Sequence, residues 1–156
     1  MPGYSGTPLP KKLGIKPGFH VFLPDMPVAV RAVLRQALAG CTLADGRRGP
    51  IDLTLLFTQS RAHLAKEFPR LARLLAPAGM LWVSWPKKAS GIVTDLDENV
   101  VREIGLAAGL VDVKVCAVTD VWSGLKFVRR LKDRPKKERS KKARPKKARP
   151  QEDRHK

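Results

Sequence analysis

Two pairs of adjacent lysines are the residues whose type and spacing best suit a chemical role in this sequence. The pair Lys87 and Lys88 follows an apolar run and comes shortly before Ser90 and Gly91, ahead of a predicted helix. Ammonium groups attract negative charge, and small residues before a helix N-terminus let backbone N–H groups approach a phosphate or carboxylate. The stretch WPKKASG therefore predicts an anion-binding loop. The alternative is a solvated loop in which Gly91 only serves a turn.

The second pair, Lys11 and Lys12, lies in the stretch YSGTPLPKKLGIKPG near the start of the chain. If residues 4–13 fold across the carboxyl edge of a sheet, these lysines join the first pair in one ligand site. If the segment instead packs on a helix, Tyr4 and Leu9 anchor it and the lysines face water. We favour the second placement and keep both lysines as candidate ligand-binding residues.

The elements that position these loops follow from the hydrophobic pattern. Nearly continuous apolar runs predict strands buried on both faces at 19–23, 51–57 and 79–85. Stripes at helical spacing predict helices at 27–40, 60–75 and 97–108. The run 111–130 alternates on either side of a short turn, which predicts an antiparallel hairpin. Together they indicate an α/β fold with a three-layer, mostly parallel Rossmann-like sheet closed by a C-terminal antiparallel hairpin.

Three details of these elements can be checked against the structure. On the first long helix, Val33 is predicted to face the core together with Val30 and Leu34. Pro69 should kink or divide the second helix, because its ring removes a backbone donor and crowds the preceding turn. The stretch CTLAD at 41–45 is a candidate for one further short strand.

Further candidate site residues come from the position of loops in a sheet of this kind. In open α/β sheets, ligands bind beyond the carboxyl ends of the parallel strands. That rule collects the loops PDMP, TQSR and PKKASG, and it adds Asp25, Ser60 and Trp85 to the candidate ligand-binding residues. Trp85 ends a strand beside the lysines and is predicted to contact a ligand, whereas Trp82 is predicted to pack in the core.

The sequence contains no pattern typical of a catalytic or metal site. There is no GxSxG, HExxH or Walker motif and no carboxylate pair at a spacing that suggests acid–base catalysis. Cys41 and Cys116 belong to no CxxC or Cys/His spacing, so we expect reduced thiols and no metal. We therefore assign no catalytic residue, and the sequence argues weakly against an enzyme.

Positive charge is concentrated at the C-terminus. From Arg129 onward there are 15 Lys or Arg against 4 Asp or Glu, an excess of 11 within a formal net charge of +17. We expect one domain at 1–130, with an N-terminal arm at 1–18, and a disordered tail at 131–156. The tail is predicted to bind nucleic acid without sequence preference, or else to act only as a solubilising appendage. Its candidate phosphate contacts are Lys136, Lys137, Lys141, Lys142, Arg144, Lys146, Lys147 and Arg149.

The location of the protein is predicted from what the apolar runs lack. None reaches the roughly 18 residues of a transmembrane helix. The first ten residues are polar and rich in Pro and Gly, unlike a secretory signal. We expect a cytoplasmic protein without a membrane partner, and the pattern does not decide its oligomeric state.

The run LARLLAPAGMLWVSW and the hairpin VDVKVCAVTDVWSGLKFVRR resemble the C-terminal half of class I methyltransferase folds. There an LxPGG turn leads into a strand, and an antiparallel strand closes the sheet. The resemblance covers about 51–130 and implies that fold. However, the first strand ends in FLPDMP and not in the glycine-rich loop that receives the carboxypropyl group of adenosylmethionine, and Asp45 alone could supply the acid that ends the second strand. We therefore expect no cofactor, with S-adenosylmethionine as the alternative.

A second resemblance spans nearly the whole chain except the tail. The stretches YSGTPLPKKLGIKPG, WPKKASGIVTDL and VREIGLAAGLVDVKVCAVTDVWSGLKFVRR look like an uncharacterised bacterial family of unknown function. This implies a bacterial cytoplasmic protein. Our main hypothesis is a non-catalytic domain that binds a small anionic ligand at the loop of Lys87, Lys88 and Ser90. The alternatives are an S-adenosylmethionine-dependent methyltransferase and a nucleic-acid-associated protein that acts mainly through its tail.

Overall fold

A computed structural model describes residues 6–134 of the chain. Its strands are β1 (His20–Phe22), β2 (Thr42–Leu43), β3 (Ile51–Phe57), β4 (Leu75–Pro86), β5 (Leu110–Ala117) and β6 (Trp122–Arg129). Its α-helices are α1 (Leu9–Leu13), α2 (Val28–Leu38), α3 (Arg61–Arg73) and α4 (Glu98–Ala107). Single 3₁₀ turns follow β4 and β6, at Lys88–Ser90 and Leu131–Asp133. The tail residues proposed above, from Lys136 onward, lie outside the described residues.

The six strands form one mixed sheet in the order β2-β1-β3-β4-β6-β5. The pairs β1–β2, β1–β3 and β3–β4 are parallel. Strand β6 is antiparallel to both of its neighbours, β4 and β5. The α/β class, the mainly parallel sheet and the closing hairpin are therefore confirmed, as is the short strand predicted within CTLAD.

Helices cover both faces of this sheet. Along β3, the side chains of Leu53, Leu55 and Phe57 join the core beneath α1 and α2, whereas Leu56 joins the core beneath α3 and α4. This alternation follows from the two-residue period of a strand, which sends successive side chains to opposite faces. Because both faces are covered, the central strands are apolar on both sides, as the continuous runs in the sequence predicted.

Two details of the helices differ from the predictions. Val33 is 54% exposed on α2, although its helical spacing with Val30 and Leu34 placed it inward. Helix α3 passes through Pro69 as a single element. It does so because Leu64, Phe68 and Leu71 are buried against the sheet, and tertiary packing of an apolar face outweighs local preference.

The two cysteines and the helices give further limits on chemistry and location. Cys41 and Cys116 are both free, and burial raises the pKa of the Cys116 thiol, so it stays protonated at neutral pH. Within residues 6–134, no group of three His, Cys, Asp or Glu side chains is placed to hold a metal ion. No helix in this described part is long and apolar enough to cross a membrane.

A close contact between α4 and β6 generates a test of this fold. The rings of Phe68 and Phe127 meet edge-to-face with centroids 5.0 Å apart, and a β-carbon at Gly105 would overlap the Phe127 ring. An alanine in a helix normally stabilises it by about 1 kcal/mol relative to glycine. Here we expect Gly105→Ala to destabilise the domain by about 1–3 kcal/mol, because overpacking a rigid core outweighs that gain.

Urea denaturation monitored by circular dichroism measures this effect. The double variant Gly105→Ala, Phe127→Leu is the control, because the smaller side chain makes room for the new methyl group. The loss caused by the alanine should be smaller in the Phe127→Leu background than in the wild type. If Gly105→Ala alone stabilises the protein, the packing of α4 on β6 described here is incorrect.

Candidate functional site

The carboxyl edge of the parallel strands is formed by loops that follow β1, β2, β3 and β4. It is the expected ligand side of an open α/β sheet. The loop after β3 caps helix α3. Ser60 Oγ accepts a hydrogen bond from the His63 N–H at 3.1 Å. The Thr58 hydroxyl lies 2.9 Å from His63 Nδ1, and Thr58 is only 5% exposed. Ser60, a predicted ligand contact, thus has a structural role as the N-cap of α3.

The loop after β4 crosses to this same helix terminus. Asp95 Oδ1 accepts a hydrogen bond from the Arg61 N–H at 2.7 Å. The Thr94 hydroxyl donates to the Gln59 carbonyl, also at 2.7 Å. A helix N-terminus attracts negative charge through its unpaired N–H groups and its dipole. At α3 this attraction is met by a carboxylate of the chain itself.

The lysine loop is closed by hydrogen bonds of its own. Ser90 Oγ donates to the Lys87 carbonyl at 2.7 Å and accepts from the Ile92 N–H at 3.1 Å. The N–H groups of Ser90 and Gly91 donate to the carbonyls of Lys87 and Lys88, and Gly91 takes the left-handed backbone with φ 79°. The backbone donors that an anion would need from these residues are therefore used within the turn.

Helix α4 begins seven residues after Gly91, as the predicted start near Asp97 implies. It starts at Glu98 and is capped by Asp97, whose Oδ1 accepts from the Val100 N–H at 2.9 Å. Two acidic residues in this first turn already satisfy the positive end of the helix. Anion binding by Lys87 and Lys88 stays a prediction, and it would depend on their side chains alone.

The tryptophans of β4 are core residues. Trp85 is 5% exposed and belongs to the core beneath α3 and α4, so our assignment of Trp85 to a ligand-stacking role is corrected: its ring packs inside the protein. Trp82 is fully buried on the opposite face, as predicted, and its indole N–H donates to the Leu13 carbonyl at 2.9 Å. Strand alternation separates 82 from 85, because an odd spacing places side chains on opposite faces.

The N-terminal arm lies on the face of the sheet beside α2. Leu9 and Leu13 of α1 are buried in the core shared with Val30 and Leu34 of α2, which confirms the packing of this segment on a helix. The proposed anchor Tyr4 lies outside the described residues. Lys11 is exposed as expected, but the prediction that both lysines face water is wrong for Lys12. Its Nζ donates to the Ala117 carbonyl at 3.1 Å.

The loop after β1 is short and contains no glycine. Asp25 is exposed at its tip with φ 60°, the left-handed region in which only Asn, Asp and Gly are common. Pro24 and Pro27 flank it and contribute no backbone N–H. Nearby in the fold, Asp45 stands two residues beyond β2, exposed, and its Oδ1 accepts from the Arg47 N–H at 2.9 Å. Asp25 and Asp45 are thus the exposed acids on the β1–β2 side of the carboxyl edge.

Solved structures have a similar fold. Magnesium protoporphyrin IX methyltransferase from Synechocystis PCC 6803, solved with bound SAM, is 15% identical, with a TM-score of 0.51 over 78% of this chain and 74% of that one. A SAM dependent methyltransferase from Aquifex aeolicus is 14% identical, with a TM-score of 0.53 over 75% and 85% of the two chains. A pericyclic reaction enzyme is 12% identical, with a TM-score of 0.51 over 80% and 47%.

The chain has a class I methyltransferase-like fold. The resemblance of LARLLAPAGMLWVSW and the closing hairpin to that fold is therefore confirmed at the level of architecture. No protein-family model matches the chain, and no curated protein matches it either. The resemblance to a bacterial family of unknown function stays a prediction.

These neighbours overturn our expectation of no cofactor, because one of them, a methyltransferase, was solved with S-adenosylmethionine bound. The absence of the glycine-rich loop does not by itself exclude this cofactor. A fold can keep its ligand edge while the residues of a single loop change, since ligands of open α/β sheets are placed by the strand ends. The ligand of this chain itself is a matter for proposal.

Sequence reasoning missed the bond that joins the loops after β3 and β4. Thr94 and Asp95 precede α4 in the sequence, where capping residues are expected, whereas in the structure Asp95 accepts from the N-terminus of α3, 34 residues earlier in the chain. Local patterns of capping residues point only to the next helix. The proximity of the two loops could be foreseen from the parallel pairing of their strands, but the choice between Asp95 and Asp97 could not.

The bond between Asp95 and α3 generates the second prediction. Asp95→Ala removes the acceptor of the Arg61 N–H, and the loss of a helix cap costs about 1 kcal/mol. We expect a lower urea midpoint with an unchanged slope, since no additional surface is exposed. Asp120→Ala is the matched control, because Asp120 is an exposed acid of another loop. Equal stability of the two variants would show that the cross-loop bond contributes nothing.

Proposed function

We propose that this protein is an S-adenosylmethionine-dependent methyltransferase whose cofactor lies at the carboxyl edge of β1, β2 and β3. The proposal is supported by the sheet, in which parallel strands are closed by an antiparallel hairpin as in solved methyltransferases of this fold. Fold alone does not determine function, and a pericyclic reaction enzyme has a similar fold. The residues at the edge must therefore be tested against the chemistry of the cofactor.

The ribose end of the cofactor has a suitable partner in Asp45. In dinucleotide-binding α/β sheets, an acid about 20 residues beyond the first loop accepts hydrogen bonds from the ribose hydroxyls. Asp45 follows β2, and it lies 20 residues after Asp25 at the tip of the β1 loop. Its carboxylate is exposed at this edge. A ribose with two neighbouring hydroxyl donors complements it.

The amino-acid end of the cofactor would meet a loop that lacks the glycines of the methyltransferase family. With Pro24 and Pro27 in place, the segment after β1 offers the N–H groups of Leu23, Asp25 and Met26. Asp25 itself adopts the left-handed backbone that a glycine would otherwise supply. The Asp25 carboxylate attracts the cationic groups of the cofactor and repels its carboxylate. The loop therefore fits the amino-acid end of the cofactor when the α-ammonium group lies near Asp25.

When bound, the cofactor supplies an electrophilic methyl group on a sulfonium. The protein's contribution to such a transfer is to hold the acceptor in line and to exclude water. No side chain is assigned here as a general base. The earlier hypothesis of a non-catalytic anion site at Lys87 has less support, because Ser90 and Gly91 use their backbone donors internally.

Calorimetry of the full chain with S-adenosylmethionine and S-adenosylhomocysteine tests this proposal. We expect one site, and we expect Asp45→Asn to weaken binding about tenfold, since losing a charge-assisted hydrogen bond costs about 1.5–3 kcal/mol. Asparagine retains an oxygen for the Arg47 N–H, so the turn is kept. Glu103→Gln, at an exposed acid of α4, is the control. No heat at millimolar cofactor would overturn the proposal, and equal affinity of Asp45→Asn would overturn the ribose assignment.

The tail supports a second candidate function, nucleic-acid binding, through its excess of 11 positive charges from Arg129 onward. Contacts of this kind release counterions, so affinity falls with salt by a slope of about 0.9 per neutralised phosphate of B-DNA. We expect the full chain to bind duplex DNA with a steep salt dependence. Replacing four tail lysines with glutamine should reduce the slope by roughly 3–4. These are Lys141, Lys142, Lys146 and Lys147.

The control carries the same change of charge outside the tail. Its four substitutions to glutamine are at the exposed residues Lys11, Lys16, Lys66 and Lys88. Fluorescence anisotropy at several salt concentrations gives both slopes. If the two quadruple variants lose the same amount of slope, net charge and not the tail governs binding. If the wild type shows no salt dependence, the nucleic-acid function is refuted.

A further inference from the structure

A cavity of about 360 Å³ opens between the start of α1, the side of α2 and the turn that joins β5 to β6. Among the residues around it are Thr7, Leu9, Lys12, Val33, Val118 and Thr119. It belongs to the α1–α2 face of the sheet, and neither Asp45 nor the lysine loop lines it. Its volume falls within the roughly 300–1,000 Å³ that is typical of small-molecule sites.

Most of the wall is apolar. Leu9 and Val118 are 9% and 2% exposed and belong to the core beneath α1 and α2. Val33 is 54% exposed although it is a valine in the middle of a helix. Its position on the cavity accounts for this exposure, since its side chain faces the opening instead of the core. Water is held poorly by such a wall, because a buried water needs two to four polar partners.

The position of α1 is fixed, so the cavity is not a loose surface contact. The Trp82 indole N–H donates to the Leu13 carbonyl at 2.9 Å, which joins the end of α1 to the central strand β4. The Lys114 ammonium donates to the Lys12 carbonyl at 3.0 Å, which joins α1 to β5. These bonds hold the first wall against the sheet while α2 forms the second.

Two polar side chains of the cavity supply hydrogen-bond donors, Thr119 and Lys12, and the Lys12 ammonium also donates to the Ala117 carbonyl. Thr119 Oγ1 accepts from the N–H groups of Val121 at 3.0 Å and Trp122 at 3.1 Å. A hydroxyl has two acceptor positions and one donor, so the group that Thr119 still offers is its O–H. The ammonium of Lys12 adds positive charge to the same wall. None of the described residues that line the cavity is acidic, and the neighbouring Asp120 is exposed outside it.

We propose that this cavity binds a small apolar molecule that carries one anionic oxygen-bearing group. The apolar body is placed against Leu9, Val33 and Val118, and the anionic group is placed toward Lys12 and the Thr119 hydroxyl. This follows from the combination of an apolar wall with donors and positive charge on one side, which complements such a molecule. The inference does not depend on the proposed methyl transfer.

Two fluorescent probes with the same aromatic body test this proposal on the full chain. They are 8-anilinonaphthalene-1-sulfonate, which is anionic, and N-phenyl-1-naphthylamine, which is neutral. We expect both to bind at one saturable site with enhanced emission. Val33→Trp should fill the cavity and weaken both probes at least tenfold. Val28→Trp is the matched control: Val28 lies on the same helix, is 81% exposed and is not part of the wall.

The charge of the site is tested separately. Lys12→Met keeps the length of the side chain and removes the ammonium, so it should weaken the anionic probe about fivefold to tenfold, in line with a lost charged hydrogen bond. The neutral probe should change less than twofold. Lys11→Met is the control, since it removes the same charge from the exposed neighbouring position. Equal effects of the two methionine variants would overturn the assignment of the anionic group to Lys12.

The cavity itself is refuted by either of two results. One is the absence of saturable binding of the neutral probe, because that probe cannot bind through the basic tail. The other is an affinity for the neutral probe that Val33→Trp leaves unchanged while its circular dichroism spectrum matches the wild type. A loss of structure in Val33→Trp is checked by Lys12→Met, which leaves the apolar wall intact and still predicts selective loss of the anionic probe.

Discussion

The parallel pairing of β3 with β4 is the constraint on which the rest of the structure depends. Parallel strands cannot be joined by a tight turn, so the chain between them must cross one face of the sheet, and helix α3 makes this crossing. Most side chains on both faces of β3 and β4 are apolar and buried, so the opposite face needs a cover as well. Helices α1 and α2 provide it, and the two cores meet only through the sheet.

The same pairing decides where the loops with polar residues end. Because β3 and β4 run in one direction, the loops after them leave the sheet side by side, and the carboxylate of Asp95 meets the N-terminus of α3. That part of the carboxyl edge is thereby closed by the chain itself. The exposed acids Asp25 and Asp45 lie beyond it, after β1 and β2. The proposed cofactor site therefore lies at the first two strands, apart from the lysine loop at which the sequence predicted a ligand.

The fold could be predicted further than the site because periodicity records burial, whereas a site depends on contacts distant in sequence. The continuous apolar runs of β3 and β4 and the alternation of the hairpin were sufficient for the α/β class. The same reasoning failed for Trp85, which was expected at the open end of β4. The strand extends to Pro86, and Trp85 lies within its buried part. It failed for Val33 because helical spacing describes one helix only. The exposure of this valine depends on α1, a separate segment that leaves an open cavity beside it.

The connection from β2 to β3 shows why the β2 end of the carboxyl edge is open. Only residues 44–50 join these parallel strands; they form no helix, and they return along the sheet as a strap. A β-carbon at Gly46 would overlap the Phe22 ring, and one at Gly49 would overlap the Leu74 carbonyl, so the strap lies directly on its neighbours. Arg70 fixes it by donating to the Gly46 carbonyl at 2.6 Å. Asp45 stands at the start of this strap with no helix over it, so a nucleoside held there would keep one face in solvent and depend mainly on that carboxylate.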